Sequence, residues 1–473
     1  MRFPHGKRFR FAFKRRPAWL GTMAHPVDTI AALATPSGTS ALACVRASGS
    51  LVPGLAAAIF NESPLPRRAR HADYRAQNGT FVDEVVYVYF KEPDSYTGEH
   101  VLEITCHGNP FIIRKILDDL YGRGCRPAEP GEFTRQAFLN GRMDLSQAEA
   151  VVDLISARSD RALAAAHRQL RGALGRRMQE LIDPLLSMLA EVEAYIDFPE
   201  EDLPPQDRAT LRIGIQNLLN AVARLLATTH YGEILRDGLK TVILGEPNAG
   251  KSSLLNRLVG YERALVSAEP GTTRDYLEER IILGAHCIRL TDTAGLNALP
   301  GPLEKLGIDK ALERAAEADL ILLVIDATRP APSLAPELSI HLRSPNALLV
   351  VNKIDLVAGG PYPEPQGHLP AVKVSALTGV GCDELVAAIV RHAESFRTDQ
   401  NEDLITLNAR HANALSHASE CLRAALGKVE IGDAFELLAS DLRGAMDAFS
   451  QILGKISNEK VLDRLFSTFC IGK

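Results

Sequence analysis

The β-like run Thr241-Val242-Ile243-Leu244 leads into Gly245-Glu246-Pro247-Asn248-Ala249-Gly250-Lys251-Ser252, and that octet leads into the helix-like SLLNRLV. A strand, a glycine-bounded turn and a helix in this order constrain the chain more than any other feature of it. The octet fits G-x-x-x-x-G-K-[ST], and its flanks are those the pattern requires. Its glycines let backbone N–H groups, those of Asn248, Ala249 and Gly250 among them, turn inward around an anion. Lys251 reaches the β and γ oxygens of a nucleoside triphosphate, and the Ser252 hydroxyl suits Mg²⁺, with Ser253 beside it. Taken alone, the octet also fits a Gly-rich turn before a helix.

Its neighbours narrow the choice. TVILG, IRLTD, LILLVID, ALLVVNK and AVKVSA are nearly continuous apolar runs, as expected for parallel strands buried on both faces. Asp292-Thr293-Ala294-Gly295 ends the second run in the D-x-x-G pattern, whose Gly N–H senses a γ-phosphate and whose Asp holds Mg²⁺ through water. Asn352-Lys353-Ile354-Asp355 follows ALLVV. There the Asp355 carboxylate can accept both N–H groups of guanine, which adenine does not offer, and the wrong base leaves a charge unpaired. Ser375-Ala376, after the last run, presents a backbone N–H to guanine O6. Four such elements in this order imply GTP binding and hydrolysis.

Gly271-Thr272-Thr273-Arg274-Asp275 lies between the first two elements, and Thr273 is placed to complete the Mg²⁺ shell as a switch. Directly after D-x-x-G, where small Ras-type GTPases place Gln to orient water, this chain has Leu296. Leu cannot hydrogen-bond water. Hydrolysis therefore needs another polar residue and another positive charge, a role worth ~10³–10⁵ in rate when an arginine supplies it.

At 473 residues the chain is long for a single core, and about three domains are expected. No apolar run approaches the ~20 residues of a membrane-crossing helix, so a soluble protein without a membrane partner is expected. Lys and Arg number 53 against 58 Asp and Glu, which argues against a protein that simply coats RNA but leaves room for a local basic patch. Seven cysteines stand singly with no CxxC pair, the usage of a reducing compartment without a zinc cluster. Residues 1–22 are rich in Arg and Lys and lack acids. They read as a transit peptide, a disordered tail, or sequence upstream of a true start at Met23.

TIAALAT, SALACVRA, FVDEVVYVYF and HVLEITCHG read as strands and PFIIRKILDDLYGRG as a helix, an α+β block. Helical periodicity runs from Asp144, a fitting N-cap, to Ile196. It is broken by FPEEDLPPQD, resumes from Leu211 to about Leu235, and returns after Phe396. The expected architecture is a helical domain interrupted by an inserted P-loop α/β domain.

GEPNAGKSSLLN, GTTRD, DTAG, NKID and the terminal FCIGK together resemble the MnmE/TrmE family of tRNA-modifying GTPases. DTIAALATPSG, SYTGEHVLEITCHG and EPGEFTRQAFLNGRMDLSQAEAV extend that resemblance from Val27 to Lys473. It implies a basic extension over 1–26, a folate-binding-like dimerisation domain over 27–140, and a helical domain over 141–236. A Ras-like G domain over 237–396 and a second helical part with the tail over 397–473 complete the chain. It further implies a homodimer whose G domains meet around K⁺ held by Asn248, Ser267, Glu269 and Thr272. Glu304, which alone reads as a solvated helix charge, would orient the attacking water.

The family's folate contacts fall on Arg46, Glu103 and Arg142, with Lys473 in the tail. The family pattern has Lys where Arg142 stands, and Arg46 and Glu103 alone read as surface and strand-edge charges. Cys470 alone reads as a small buried hydrophobe; the resemblance makes it a candidate catalytic residue with Glu304 and Lys251. The implied partners are tRNA and an MnmG-type flavoprotein carrying FAD, in a heterotetramer. Together they would add an aminomethyl or carboxymethylaminomethyl group to carbon 5 of the wobble uridine, with 5,10-methylene-tetrahydrofolate supplying the carbon. The expected location is the bacterial cytoplasm, or the mitochondrion if residues 1–22 are a transit peptide. The alternative is a ribosome-assembly GTPase switch, which would lack the folate-like block and FCIGK.

Overall fold

The computed structural model describes residues 28–197, 208–260, 278–292, 312–330, 340, 342, 345–357, 369–396, 405–431, 435–454, 462, 465–467 and 469–472. They form two compact units. One holds the described residues up to Ala148 together with those from Ser457 onward, and the other those of Glu149–Ile456. Among the described residues no helix is long and apolar enough to cross a membrane.

The first unit is built on a six-stranded sheet in the order β3-β4-β5-β2-β1-β6. The strands are β1 (Ile30–Leu33), β2 (Ser40–Ser48), β3 (Ala69–Arg75), β4 (Phe81–Phe90), β5 (Val101–Gly108) and β6 (Arg126–Pro127). All neighbours are antiparallel except β1 and β6. In β4 the residues Asp83, Val85, Tyr87 and Tyr89 are buried and those between them face outward. The sequence shows that alternation weakly because Val and Tyr stand on both faces. Helices α1 (Val52–Phe60) and α2 (Pro110–Gly122) cover one face, through Leu55, Ile59, Ile113, Ile116 and Leu120. Near β1, Phe133 of α3 (Glu132–Leu139) packs with Ile30, Ala32 and Ala128.

The sequence does not announce α1, α3 and β3, for local reasons. Neither helix has a side-chain N-cap, and β3 is a largely polar edge strand. Asp144 does cap α4 (Leu145–Ser156): its carboxylate accepts from the Gln147 N–H at 2.9 Å, and Gln147 Oε1 accepts from the Asp144 N–H at 3.0 Å. That reciprocal pair is a capping box.

The expected long helices are each divided. The run after Asp144 is three helices, α4, α5 (Asp160–Leu170) and α6 (Ala173–Asp197), divided by the Ser159 cap and by Gly172 in a left-handed conformation. The stretch expected as one helix from Leu211 to about Leu235 is two, α7 (Arg208–Leu226) and α8 (Thr229–Asp237). At the break the Thr228 hydroxyl donates to the Leu225 and Ile405 carbonyls.

A second sheet follows in the order β12-β11-β10-β7-β9-β8. Its strands are β7 (Leu239–Gly245), β8 (Glu278–Leu283), β9 (His286–Asp292), β10 (Leu320–Asp326), β11 (Ala347–Asn352) and β12 (Ala371–Lys373). Only β8, an edge strand, is antiparallel to its neighbour. Every residue of β10 and β11 is buried, as their apolar runs require. α9 (Lys251–Val259) follows β7, and α10 (Cys382–Ser395) follows β12.

α11 (Ala409–Ile431) and α12 (Phe435–Ile452) then pack with α6 and α7 around one core that includes Leu181, Leu185, Leu218, Leu422, Leu442 and Phe449. Each half of this bundle would expose an apolar stripe without the other. Within the same unit Arg410 Nε and Nη2 donate to the buried Glu149 carboxylate at 2.7 and 2.9 Å. Arg410 also donates to the Gln451 and Ile452 carbonyls, so it ties α4 and the end of α12 to α11.

Candidate functional site

In the second unit, the carboxyl ends of β7, β10 and β11 and the turn after β12 converge on the start of α9, the edge where open α/β sheets bind ligands. Gly250, at φ 95°, is the N-cap of α9 and no side chain caps that end, so the first N–H groups of the helix meet the turn. Lys251 is buried, and its Nζ donates to the carbonyls of Gly245 and Glu246 at 2.8 and 3.0 Å. The ammonium is thus folded back over its own loop. Ser252 and Ser253 are exposed on the first turn of α9. Asn248 is exposed at φ 66°, a conformation that Asn tolerates better than most residues.

Asn352, buried at the end of β11, joins two of the sequence elements. Its Nδ2 donates to the Ala249 carbonyl at 2.9 Å, and its Oδ1 accepts from the Ala376 N–H at 3.0 Å. Ser375 is fully buried and shapes the turn, its Oγ accepting from the Thr378 N–H at 3.1 Å. Lys353, at φ 65°, donates to Asp326 Oδ2 at 2.6 Å. Burial acts against the Asp326 carboxylate, but hydrogen bonds from Lys353 and Thr328 outweigh it and hold its pKa at about 2. Asp355 is exposed in the short 3₁₀ turn that follows. The structure therefore gathers Asn248, Ala249, Gly250, Lys251, Ser252, Asn352, Lys353, Ser375 and Ala376 at one edge.

The backbone of Asp292 ends β9 beside Ile243. Ser267, Glu269, Thr272, Thr273, Arg274, Thr293, Ala294, Gly295, Leu296 and Glu304 lie outside the described residues, as does Lys473.

The first unit carries a separate polar site. Arg46 and Glu103 face each other across β2 and β5, and Arg46 Nε and Nη2 donate to Glu103 Oε1 at 3.0 and 2.7 Å. The guanidinium lies 5.4 Å from the Tyr96 ring centre and 5.6 Å from that of Phe133. Its Nη1 donates to the carbonyl of Gly472 at 3.3 Å. The end of the chain is held there by two buried anchors, Phe466 and Phe469, and by a bridge between Pro130 and Ile471. Gly472 sits at φ 95°, and a Cβ on it would fall 2.1 Å from the Leu33 carbonyl oxygen. Cys470 is exposed, which overturns its reading as a buried hydrophobe. Its own carbonyl accepts from the Gly131 N–H.

Arg142 packs against Gly98, in the turn that also carries Tyr96. In that turn Glu99 accepts from Ser48 Oγ at 3.1 Å, and burial raises its pKa. Tyr96, Phe133, Glu99 and Asp326 also stand at these sites, and the sequence does not single them out. SYTGE and GEFTR hold the first three, but nothing in either string says which side chain turns toward Arg46.

The pattern described as the MnmE helical domain matches residues 145–470, and that of the GTP-binding protein TrmE N-terminus matches residues 29–142. The tRNA modification GTPase MnmE of Opitutus terrae is 59% identical over 447 residues, covering 94% of this chain and 99% of its own. That of Akkermansia muciniphila is 42% identical, covering 95% of this chain and 100% of its own. That of Symbiobacterium thermophilum is 44% identical, covering 94% and 99%. Matched nearly end to end and in both its N-terminal and helical parts, the chain belongs to the MnmE family of tRNA modification GTPases.

Proposed function

We propose that this GTP-hydrolysing enzyme acts on tRNA at carbon 5 of the wobble uridine. An MnmG-type FAD protein is its partner, and 5,10-methylene-tetrahydrofolate, held in the folate-binding-like first unit, is the carbon source. The observation that carries this reading is the Arg46 guanidinium, which holds Glu103 and the Gly472 carbonyl together. A switch that needed only its P-loop would have no use for an ion-paired, aromatic-walled site completed by its own terminal residues. Arg46, Glu103, Arg142 and Lys473 are the proposed folate contacts, and exposed Cys470 the reactive group beside them.

In the second unit, GTP is bound by Asn248 to Ser253 at the phosphates and by Asn352, Lys353, Asp355, Ser375 and Ala376 at the base. Ser267, Thr272, Thr273 and Asp292–Gly295 complete the set. Ser252 and Thr273 would hold Mg²⁺, and Asn248 with Ser267, Glu269 and Thr272 would hold K⁺. The exposed Ser252 hydroxyl and the outward Asn248 fit those roles. Bound there, K⁺ would supply the positive charge that an arginine supplies in other GTPases. Glu304 orients water, Lys251 leaves its loop carbonyls for the β and γ oxygens, and G domains of two copies close on each other. The expected setting is the cytoplasm.

Deleting Cys470 to Lys473 tests this reading. GTP hydrolysis is expected to persist while modified wobble uridine disappears from the tRNA, as read by mass spectrometry of nucleosides. Normal modification by the truncated chain would refute the role of the tail and favour a GTPase switch without tRNA chemistry.

A further inference from the structure

Arg257 stands on α9, the helix that opens with Lys251. Its Nε donates to the Ala376 carbonyl at 3.0 Å, and its Nη2 donates to the Leu377 carbonyl. These are consecutive carbonyls of the turn after β12. On its other side the same turn is held by Asn352, which accepts from the Ala376 N–H, and by the Ser375 N–H, which donates to the Val380 carbonyl at 2.8 Å. Asn352 thus fixes the N–H side of residue 376 and Arg257 the carbonyl side. Asn352 also grips Ala249 in the phosphate loop, and α9 begins where that loop ends. The contacts close a ring: loop, Asn352, Ala376, Arg257, helix, loop.

A guanidinium suits this place because its donors lie in a rigid fork and can meet two neighbouring carbonyls at once. A lysine ammonium on a flexible stem meets them less well. A carbonyl pair clamped in this way cannot rotate, so the N–H groups of the turn keep one direction.

We propose that Arg257 is a positioning residue for guanine recognition: it holds the Ser375–Leu377 turn by its carbonyls, so that guanine O6 takes over the Ala376 N–H from Asn352 without the turn shifting, and it couples that reading to the phosphate loop. The inference rests on the proposed assignment of this turn to the base. It makes O6 discrimination, not nucleotide affinity in general, the quantity that Arg257 controls.

The test compares three nucleotides on the full chain by fluorescence competition: GTP, ITP, which keeps O6 but lacks the 2-amino group, and 2-aminopurine riboside triphosphate, which keeps the amino group but lacks O6 and, with it, the N1 proton. Arg257→Ala is expected to weaken GTP and ITP roughly tenfold each, the scale of one or two lost hydrogen bonds. The nucleotide without O6 should change less than about twofold, because it never used the contact. The preference for GTP over ITP, which belongs to Asp355, should remain. Arg257→Lys should give an intermediate O6 preference, and it decides the matter if the alanine variant does not fold.

Equal weakening of all three nucleotides, or an O6 preference unchanged in both variants, overturns the inference. A wild-type chain that already binds the nucleotide without O6 as well as GTP overturns the base assignment and the inference together.

Discussion

A Cβ placed on Gly250 would lie 2.2 Å from the side-chain nitrogen of Asn352, which is itself hydrogen-bonded to the Ala249 carbonyl. The loop after β7 and the end of β11, the proposed reader of the base, are therefore in contact before any ligand is considered. Gly250→Ala carries two penalties, a left-handed φ of 95° and a clash with a doubly bonded amide. The conformational part alone is about 1–2 kcal/mol. GTP affinity is expected to fall by well over tenfold, as read by titration with a fluorescent GTP analogue, and the strain in the folded loop should also lower the thermal midpoint. Unchanged affinity would mean that Asn352 moves freely, and the coupling would be lost.

Asp355 is exposed in its 3₁₀ turn, where a carboxylate can meet a base without first breaking an internal bond seen for it. Asp355→Asn offers a donor where guanine needs an acceptor. The variant should lose GTP affinity and gain xanthosine triphosphate, measured as a reversal of their inhibition constants. Retained GTP preference would remove Asp355 from base recognition.

Gly472→Ala tests the seat of the tail without shortening it. The added methyl would collide with the Leu33 carbonyl, 2.1 Å away, and should lift Gly472 off Arg46. GTP turnover should stay within about twofold, since no phosphate or base contact is touched, while wobble-uridine modification drops severely. Full modification by this variant would show that the Arg46–Gly472 contact is dispensable.

Glu149 predicts a pH dependence. Burial disfavours its carboxylate, but hydrogen bonds from Arg410 and His411 outweigh burial and hold its pKa at about 2, below the ordinary 4.5. His411 is lowered from 6.5, chiefly by burial. Its Nδ1 accepts from the Asn408 N–H, so the neutral ring carries its proton on Nε2, facing Glu149 at 2.7 Å. In both cases the unfolded chain binds protons more readily than the folded one. The contribution of His411 is complete above pH 6.5 and is lost as pH falls below it. That of Glu149 is complete above 4.5 and is lost toward 2. Glu149→Gln should cost toward the lower end of about 3–5 kcal/mol at neutral pH, because Arg410 keeps some solvent, and should flatten the acid limb of urea midpoints. A variant with the wild-type acid limb would show that another group sets it.

Leu296 cannot orient water, so the proposed cation carries weight. GTP hydrolysis should run well over tenfold faster in KCl than in NaCl at equal ionic strength, which holds general screening constant. Asn248→Gly removes the side chain while keeping the φ of 66° accessible, and should abolish most of the K⁺ effect with nucleotide binding intact. Equal rates in the two salts would leave Arg274 as the remaining candidate for the positive charge.

The sequence alone determined what contiguous strings can encode. The octet from Gly245 to Ser252 is legible because a strand, a turn and a helix start are all local, and β10 and β11 because burial on both faces leaves unbroken apolar runs. Asp144 is legible because a cap and its partner lie three residues apart. Only the tertiary structure decided which distant side chains meet. Arg46 reaches Gly472 across 426 positions, Arg257 reaches Ala376 across 119, and two helical halves on either side of a sheet share one core. Such contacts depend on where whole elements come to rest, and a hydrogen bond between two of them imposes no periodicity on either stretch of sequence.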